Sequence, residues 1–437
     1  MNAHKNIYAI AMWFLLPLAF DFKGTEGGGS VVQALYVLIV LVAYVFYMSE
    51  NYWRLVSVSP RSMALLVAFF IFSIGSVVVA LLNNIPFSNT WRTVLPFLLV
   101  WLSLSYFASI NMTGNWLVVY SCIIRCGSIS VVFSAFYAFF VVGVSIDSAR
   151  YEILSPALVP FVALLSYGYF VGFGIRFFDK ICAVLGVVLA ALSVTRSTVL
   201  ALVGVLIAAI ILAAWQKILV KNKFNGIFYT VMFTFFILIL ASVVGEFSIY
   251  ERWDSKVFKS NADLGFDVTS ISRLAEAENQ LSQWLVDYKS IFFGNGVGAI
   301  FSYDSSYFDL LVASGAFNVD FLIAIQDYQG GHNFYIFVLF AGGLVFGGAL
   351  LAGIIFSFIV SLAAVVSSRD SSNIIGGRDF CFEYQLVSAV GFLGFLSFVF
   401  ISIGGTPLGS RFGAVYLGAI FSFALYSGCF KRLKFNA

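Results

Sequence analysis

The chain is a succession of apolar runs of membrane length, interrupted by one long polar segment. Along its 437 residues the runs fall roughly at 7–20, 31–48, 63–82, 93–110, 116–143, 156–175, 181–195, 197–214, 226–247, 333–364, 384–403 and 412–430. A helix needs about 20 apolar residues to cross a bilayer, so about 12 transmembrane helices are expected. The runs are continuous and do not alternate as barrel strands must, which makes the expected fold class all-α, an integral membrane protein. Charged residues are 10% of the chain, against about 25% in a soluble domain. The first run is short and no small-residue cleavage site follows it, so it is expected to stay as a helix and not to be a signal peptide. Three regions follow: 1–247 with about nine membrane helices, 248–331 as one large polar loop with short helices, and 332–437 with about three more membrane helices.

Lysine and arginine set the expected orientation. Alternate short segments carry Lys5, Arg54, Arg61, Arg176, Lys180, Lys217, Lys221, Lys223, Arg369, Arg378, Lys431, Arg432 and Lys434. The others carry only Lys23, Arg92, Arg150, Arg196 and Arg411. The bias puts both termini in the cytoplasm and the 248–331 loop outside. The net charge of +3 reflects inner-surface cations facing anionic membrane lipids and gives no sign of nucleic-acid binding. None of the five cysteines, Cys122, Cys126, Cys182, Cys381 and Cys429, lies in the loop, so no disulfide framework is expected there. Cys122 and Cys126 share a helix face with no histidine or carboxylate to complete a metal site, and packing is the expected role.

Within the loop, Ile271, Leu274, Leu281, Trp284, Leu285 and Tyr288 recur at helical spacing, which predicts an amphipathic helix lying on the membrane surface or on the other helices, with Ser270 placed to cap its start. Tyr307 to Ile325 reads as a second short helix. Gly294-Asn295-Gly296-Val297-Gly298 lacks the strand, helix and third-glycine offset of a dinucleotide fingerprint and reads as a tight turn with close backbone approach. There is no Walker sequence and no Asp-x-Asp, so neither ATP nor a divalent metal is expected. Gly343 and Gly347 form a small-xxx-small pattern that predicts close helix packing.

Two residue types carry the candidate chemistry. His332, one of two histidines, stands where the polar loop meets an apolar run, a position suited to proton transfer at the bilayer surface or to a satisfied interfacial hydrogen bond. Arg196 sits on a hairpin between two apolar runs, where an ion is costly without a partner. Its fork suits phosphate or carboxylate, and snorkelling to lipid phosphate is the alternative. Arg273 opens the loop helix, either as a second anion ligand or as the partner of Glu276 in a helix-surface pair. Arg411 and Arg150 are weaker candidates at the same face. Arg125 falls inside an apolar run and must face protein or water.

Three of these segments, in order, resemble the bacterial O-antigen ligase and polymerase superfamily. They are Ser193-Val194-Thr195-Arg196-Ser197, then Ser272-Arg273-Leu274 with Phe293-Gly294-Asn295-Gly296-Val297-Gly298, and then Gly331-His332-Asn333-Phe334-Tyr335 with Gly342-Gly343-Leu344-Val345-Phe346-Gly347. The resemblance covers roughly residues 185–355. It implies a membrane glycosyltransferase fold (GT-C-like) in the bacterial inner membrane. The implied donor is an undecaprenyl-pyrophosphate-linked glycan, and transfer occurs at the periplasmic face without metal or nucleotide. The implied acceptor is a lipid-linked glycan for a polymerase of the O-antigen or capsule type, or lipid A-core for a ligase of lipopolysaccharide biosynthesis, with a chain-length regulator protein as a further partner. Arginines would then hold the pyrophosphate, at Arg196, Arg273, Arg411 and Arg150, and His332 would be the base. A flippase of lipid-linked oligosaccharides is the alternative of another class.

Overall fold

A computed structural model describes residues 2–19, 31–52, 60–145, 151–216, 218, 268–313, 331–370, 378–405, 407–409 and 411–435. The elements are α1 (Asn2–Ala19), α2 (Val31–Asn51), α3 (Pro60–Leu82), α4 (Phe87–Asn111), α5 (Trp116–Phe136), α6 (Leu158–Phe170), α7 (Phe177–Leu192), α8 (Arg196–Trp215), α9 (Val268–Trp284), α10 (Tyr288–Phe293), α11 (Phe308–Ala313), α12 (Phe334–Gly342), α13 (Gly348–Asp370), α14 (Arg378–Gly404) and α15 (Arg411–Phe435). No strand occurs among the described residues. Seven helices there are long and apolar enough to cross a membrane, which makes this a multi-pass helical membrane protein. The expected run at 226–247 lies outside the described residues, as do Arg150, the side chain of Arg411 and residues 314–325 of the Tyr307 to Ile325 stretch expected to be helical.

Leucine, alanine, phenylalanine, valine and isoleucine supply most of these helices, and several buried hydroxyls turn back onto their own backbone. Ser73 donates to Phe69 O, Ser397 to Leu393 O and Ser402 to Phe398 O, each at 2.7 Å, so no hydroxyl at these points is left bare in apolar surroundings. Glycines let helix backbones meet. A Cβ on Gly418 of α15 would lie 2.6 Å from Val100 O of α4, and one on Gly391 of α14 would lie 2.8 Å from Ala424 N of α15. Cys122 and Cys126 are buried on the α5 face that packs on α1, against Tyr8 O and the Met12 sulfur, in line with a packing role.

The polar segment is seated on the bundle by its glycine turn. Gly294, Gly296 and Gly298 all have φ between 78° and 92°. Asn295 N and Gly296 N donate to Phe340 O and Ala341 O of α12 at 2.8 and 3.0 Å, and Asn83 of the α3–α4 turn donates to Asn295 O at 3.0 Å. A Cβ on Gly296 would sit 2.6 Å from the Ala80 backbone of α3. Gly296→Ala is therefore expected to destabilise the seat by about 1–3 kcal/mol from overpacking and about 1–2 kcal/mol from the left-handed backbone. A lower unfolding midpoint and faster proteolysis of the 268–313 region would report it.

The apolar run expected at 333–364 is not one helix. Gly343, with φ 59° and ψ −165°, ends α12 after nine residues. The chain then folds back through a π-helical turn at Gly343–Gly347, so that Gly347 packs against Val338 of α12. Gly343 itself abuts the Phe292 and Gly294 backbone. The small-xxx-small pair thus serves a chain reversal and the glycine turn, not the packing of two long helices. The 23 residues of α13 then run about 35 Å by helical rise, antiparallel to α3, with Gly75 against Phe346 at one end and Gly353 against Ala68 further along.

Candidate functional site

The short helix α12 holds its leading residues among the bundle helices. Phe334 is fully buried, stacked on Phe97 of α4 at 6.3 Å and edge-on to Phe398 of α14 at 4.9 Å. Phe97 lies ten residues into α4, about 15 Å from its start. His332, two residues before Phe334, is thereby drawn below the ends of the helices that surround it. Asn333 caps α12, accepting from Tyr335 N at 3.0 Å and Ile336 N at 3.2 Å.

Glu276 of α9 grips His332 twice. Its Oε1 accepts the His332 backbone N–H at 2.5 Å, and its Oε2 lies 2.6 Å from Nδ1. The Glu276 side chain is 4% exposed and the imidazole 42%. With Glu276 as a carboxylate, which only accepts, the proton shared between the two is that of Nδ1–H. That leaves Nε2 as the ring nitrogen that can exchange a proton, with a buried negative charge behind the ring to stabilise the imidazolium formed. Gln280, one turn along α9, is fully buried beside Gly331, and its amide oxygen has no partner among the described residues.

Arg273 precedes Glu276 by three residues, so both project from neighbouring positions on α9. The Glu276 carboxylate turns inward to His332. Arg196 begins α8 after a strained turn: Val194 is buried with φ 50°, a conformation rare for a β-branched residue. Ser193 Oγ braces that turn by donating to Ala190 O at 2.8 Å. Gly204 of α8 abuts Phe400 of α14, and Phe398 of α14 meets Phe334, so α14 is the element linking the Arg196 helix to the His332 neighbourhood. Arg411 starts α15 near the level of Phe97, because Ser103 of α4 donates to Val415 O, one turn further on, at 2.6 Å.

No protein-family model matches this chain, and no curated protein matches it.

Around the pair, α9 is fixed by polar contacts with 302–307. Asp304 N donates to Ala275 O at 3.0 Å and Ser302 N to Asn279 Oδ1 at 3.1 Å. Tyr307 donates to Glu278 at 2.7 Å, which raises its pKa above the ordinary tyrosine value, and the Ser306 hydrogen bonds lower that of Asp304. Among the described residues no three His, Cys, Asp or Glu side chains gather where a metal ion could be held. The apolar face of α9 is only partly covered by protein: Ile271 and Trp284 pack against buried residues. Ala275, Glu276 and Gln280 are inside, whereas Leu274, Leu285 and Tyr288 are exposed. The helix also starts at Val268, so Ser270 is in its first turn and not its cap. Arg125, the deep arginine, forms an ion pair with Asp179 at 3.3 Å.

Proposed function

We propose that this chain is a membrane glycosyltransferase that joins undecaprenyl-pyrophosphate-linked oligosaccharides at the outer face of the bacterial cytoplasmic membrane, as a polymerase of the O-antigen or capsule type. In this reading about 12 helices span the bilayer, both termini are cytoplasmic and the 248–331 segment is external. The observation that carries it is the imidazole of His332 held by the buried Glu276 carboxylate, with Arg273 one turn away on the same helix. An acceptor sugar hydroxyl gives its proton to Nε2 as its oxygen attacks the anomeric carbon. The bond from that carbon to the pyrophosphate oxygen breaks, and undecaprenyl pyrophosphate leaves from the opposite face with inversion. The leaving group gathers negative charge as it departs, and Arg273 and Arg196 are the cations assigned to it. No metal or nucleotide takes part.

The test is transfer by the purified chain in detergent with a lipid-pyrophosphate glycan donor and EDTA. Arg196→Ala and Arg273→Ala are each expected to lower turnover about 100-fold or more, as the loss of one oxyanion donor does, and lysine restores only part because it loses the bidentate fork. Full activity in both alanine variants at normal protein level removes the donor site. Product from donor alone marks a polymerase, whereas product only on addition of lipid A-core marks the ligase, which shares the donor chemistry.

A further inference from the structure

At the end of the bundle away from the polar segment, α1, α5 and the α6–α7 link enclose a cavity of about 60 Å³, room for several waters. Its walls carry Tyr8, Ser121, Arg125, Arg176 and Asp179. Asp179 is already satisfied: Ser128 donates to it at 2.7 Å and Arg125 Nη1 lies 3.3 Å away. Arg125 is nine residues into α5, about 14 Å from its start, and its side chain is only 19% exposed. An ion pair alone would explain Arg125. It does not explain Arg176, an exposed cation in the wall of the same cavity, where Tyr8 feels its charge. Asp179 cancels one of the two guanidinium charges, so the cavity keeps a net positive charge. Arg125 uses one of its donors on Asp179 and rests its guanidinium 5.5 Å from the Phe178 ring, and the other N–H groups of its fork remain to be used. Arg176 is also the N-cap of the 16-residue α7 and its side chain makes no capping bond, so the first amides of that helix add positive potential at the same place. Lys180 is the other cation nearby, and it is turned aside over the Tyr169 ring at 5.3 Å.

We propose that this cavity binds a phosphate group, taken between Arg176 and the outer edge of Arg125, with the Tyr8 and Ser121 hydroxyls as further donors. Its place among helix ends makes the headgroup of an anionic phospholipid the natural source, and soluble phosphate carries the same chemistry. The site is separate from the glycosyl-transfer reading and stands or falls without it.

The test uses the full chain in nanodiscs of phosphatidylcholine alone or with phosphatidylglycerol, and in detergent with inorganic phosphate. Lipid retention is read by native mass spectrometry and affinity by titration. Wild type is expected to retain phosphatidylglycerol over phosphatidylcholine, and Arg176→Ala to weaken that binding about tenfold, a change of about 1.4 kcal/mol. Ser121→Leu, which fills the mouth from an exposed position, is expected to act likewise without removing a charge. Lys180→Ala, which removes a charge outside the cavity, is expected to have little effect. Displacement of the lipid by millimolar phosphate, with the same dependence on Arg176, assigns the site to soluble phosphate. Equal binding of phosphatidylglycerol by wild type, Arg176→Ala and Ser121→Leu, or an equal loss in Lys180→Ala, overturns the proposal. So does an absence of binding by either probe.

Discussion

Replacing His332 with alanine is expected to lower glycosyl transfer by about 100- to 10,000-fold, the contribution of a positioned base, while donor binding changes little. The fold should tolerate the change. The main-chain N–H of residue 332 remains, so Glu276 keeps its 2.5 Å bond, and Phe334 still anchors α12 between Phe97 and Phe398. Two measurements separate base from bystander. Single-turnover rates with bound lipid-pyrophosphate donor should fall, while the donor dissociation constant stays within a few-fold. His332→Gln distinguishes proton transfer from simple orientation, because glutamine can donate a hydrogen bond yet cannot accept a proton at neutral pH. Substantial transfer by the glutamine variant would remove the general-base role. Unchanged transfer by the alanine variant would remove His332 from the reaction and the site built on it.

The helical class was legible in the sequence because membrane helices announce themselves by length and hydropathy alone, and each such run within the described residues meets a helix. The run at 333–364 was misleading for a physical reason. Its composition is apolar throughout, and only the backbone of Gly343 breaks it, through a conformation that composition does not encode. The glycine turn at 294–298 was readable because three glycines at alternate positions have few other uses. The face of α9 was not. Leucines at helical spacing mark one face, suited to the membrane surface or to other helices, whereas the side most buried in the protein carries Glu276 and Gln280. The signal for Glu276 was present all the same: a carboxylate three residues after a candidate arginine, in a loop that returns to the chain's second histidine. Its partner lies 56 residues away, and one-dimensional spacing reports only neighbours within a turn or two.

Glu276 is the residue whose substitution most sharply tests the arrangement around His332, and Glu276→Gln is the informative change. It conserves size and keeps an oxygen for the His332 main-chain N–H. What it alters is the side chain that faces Nδ1, where an amide nitrogen now donates. Nδ1 must then accept, the ring proton moves to Nε2, and the nitrogen needed to take the acceptor hydroxyl's proton is occupied. Turnover is expected to fall about 100- to 10,000-fold, in the range of losing the base itself. Glu276 does not touch the reacting atoms in this scheme; it is a positioning residue. Its variants should therefore change the pH dependence of turnover as well as its size, because the negative charge that stabilises the imidazolium is gone. Glu276→Asp keeps that charge on a shorter arm and should recover part of the rate, with a profile closer to wild type. If Glu276→Gln turns over at more than a third of the wild-type rate, with an unchanged pH profile and normal protein levels, the carboxylate serves only to tie α9 to α12. The assignment of His332 as base would then lose the contact on which it rests.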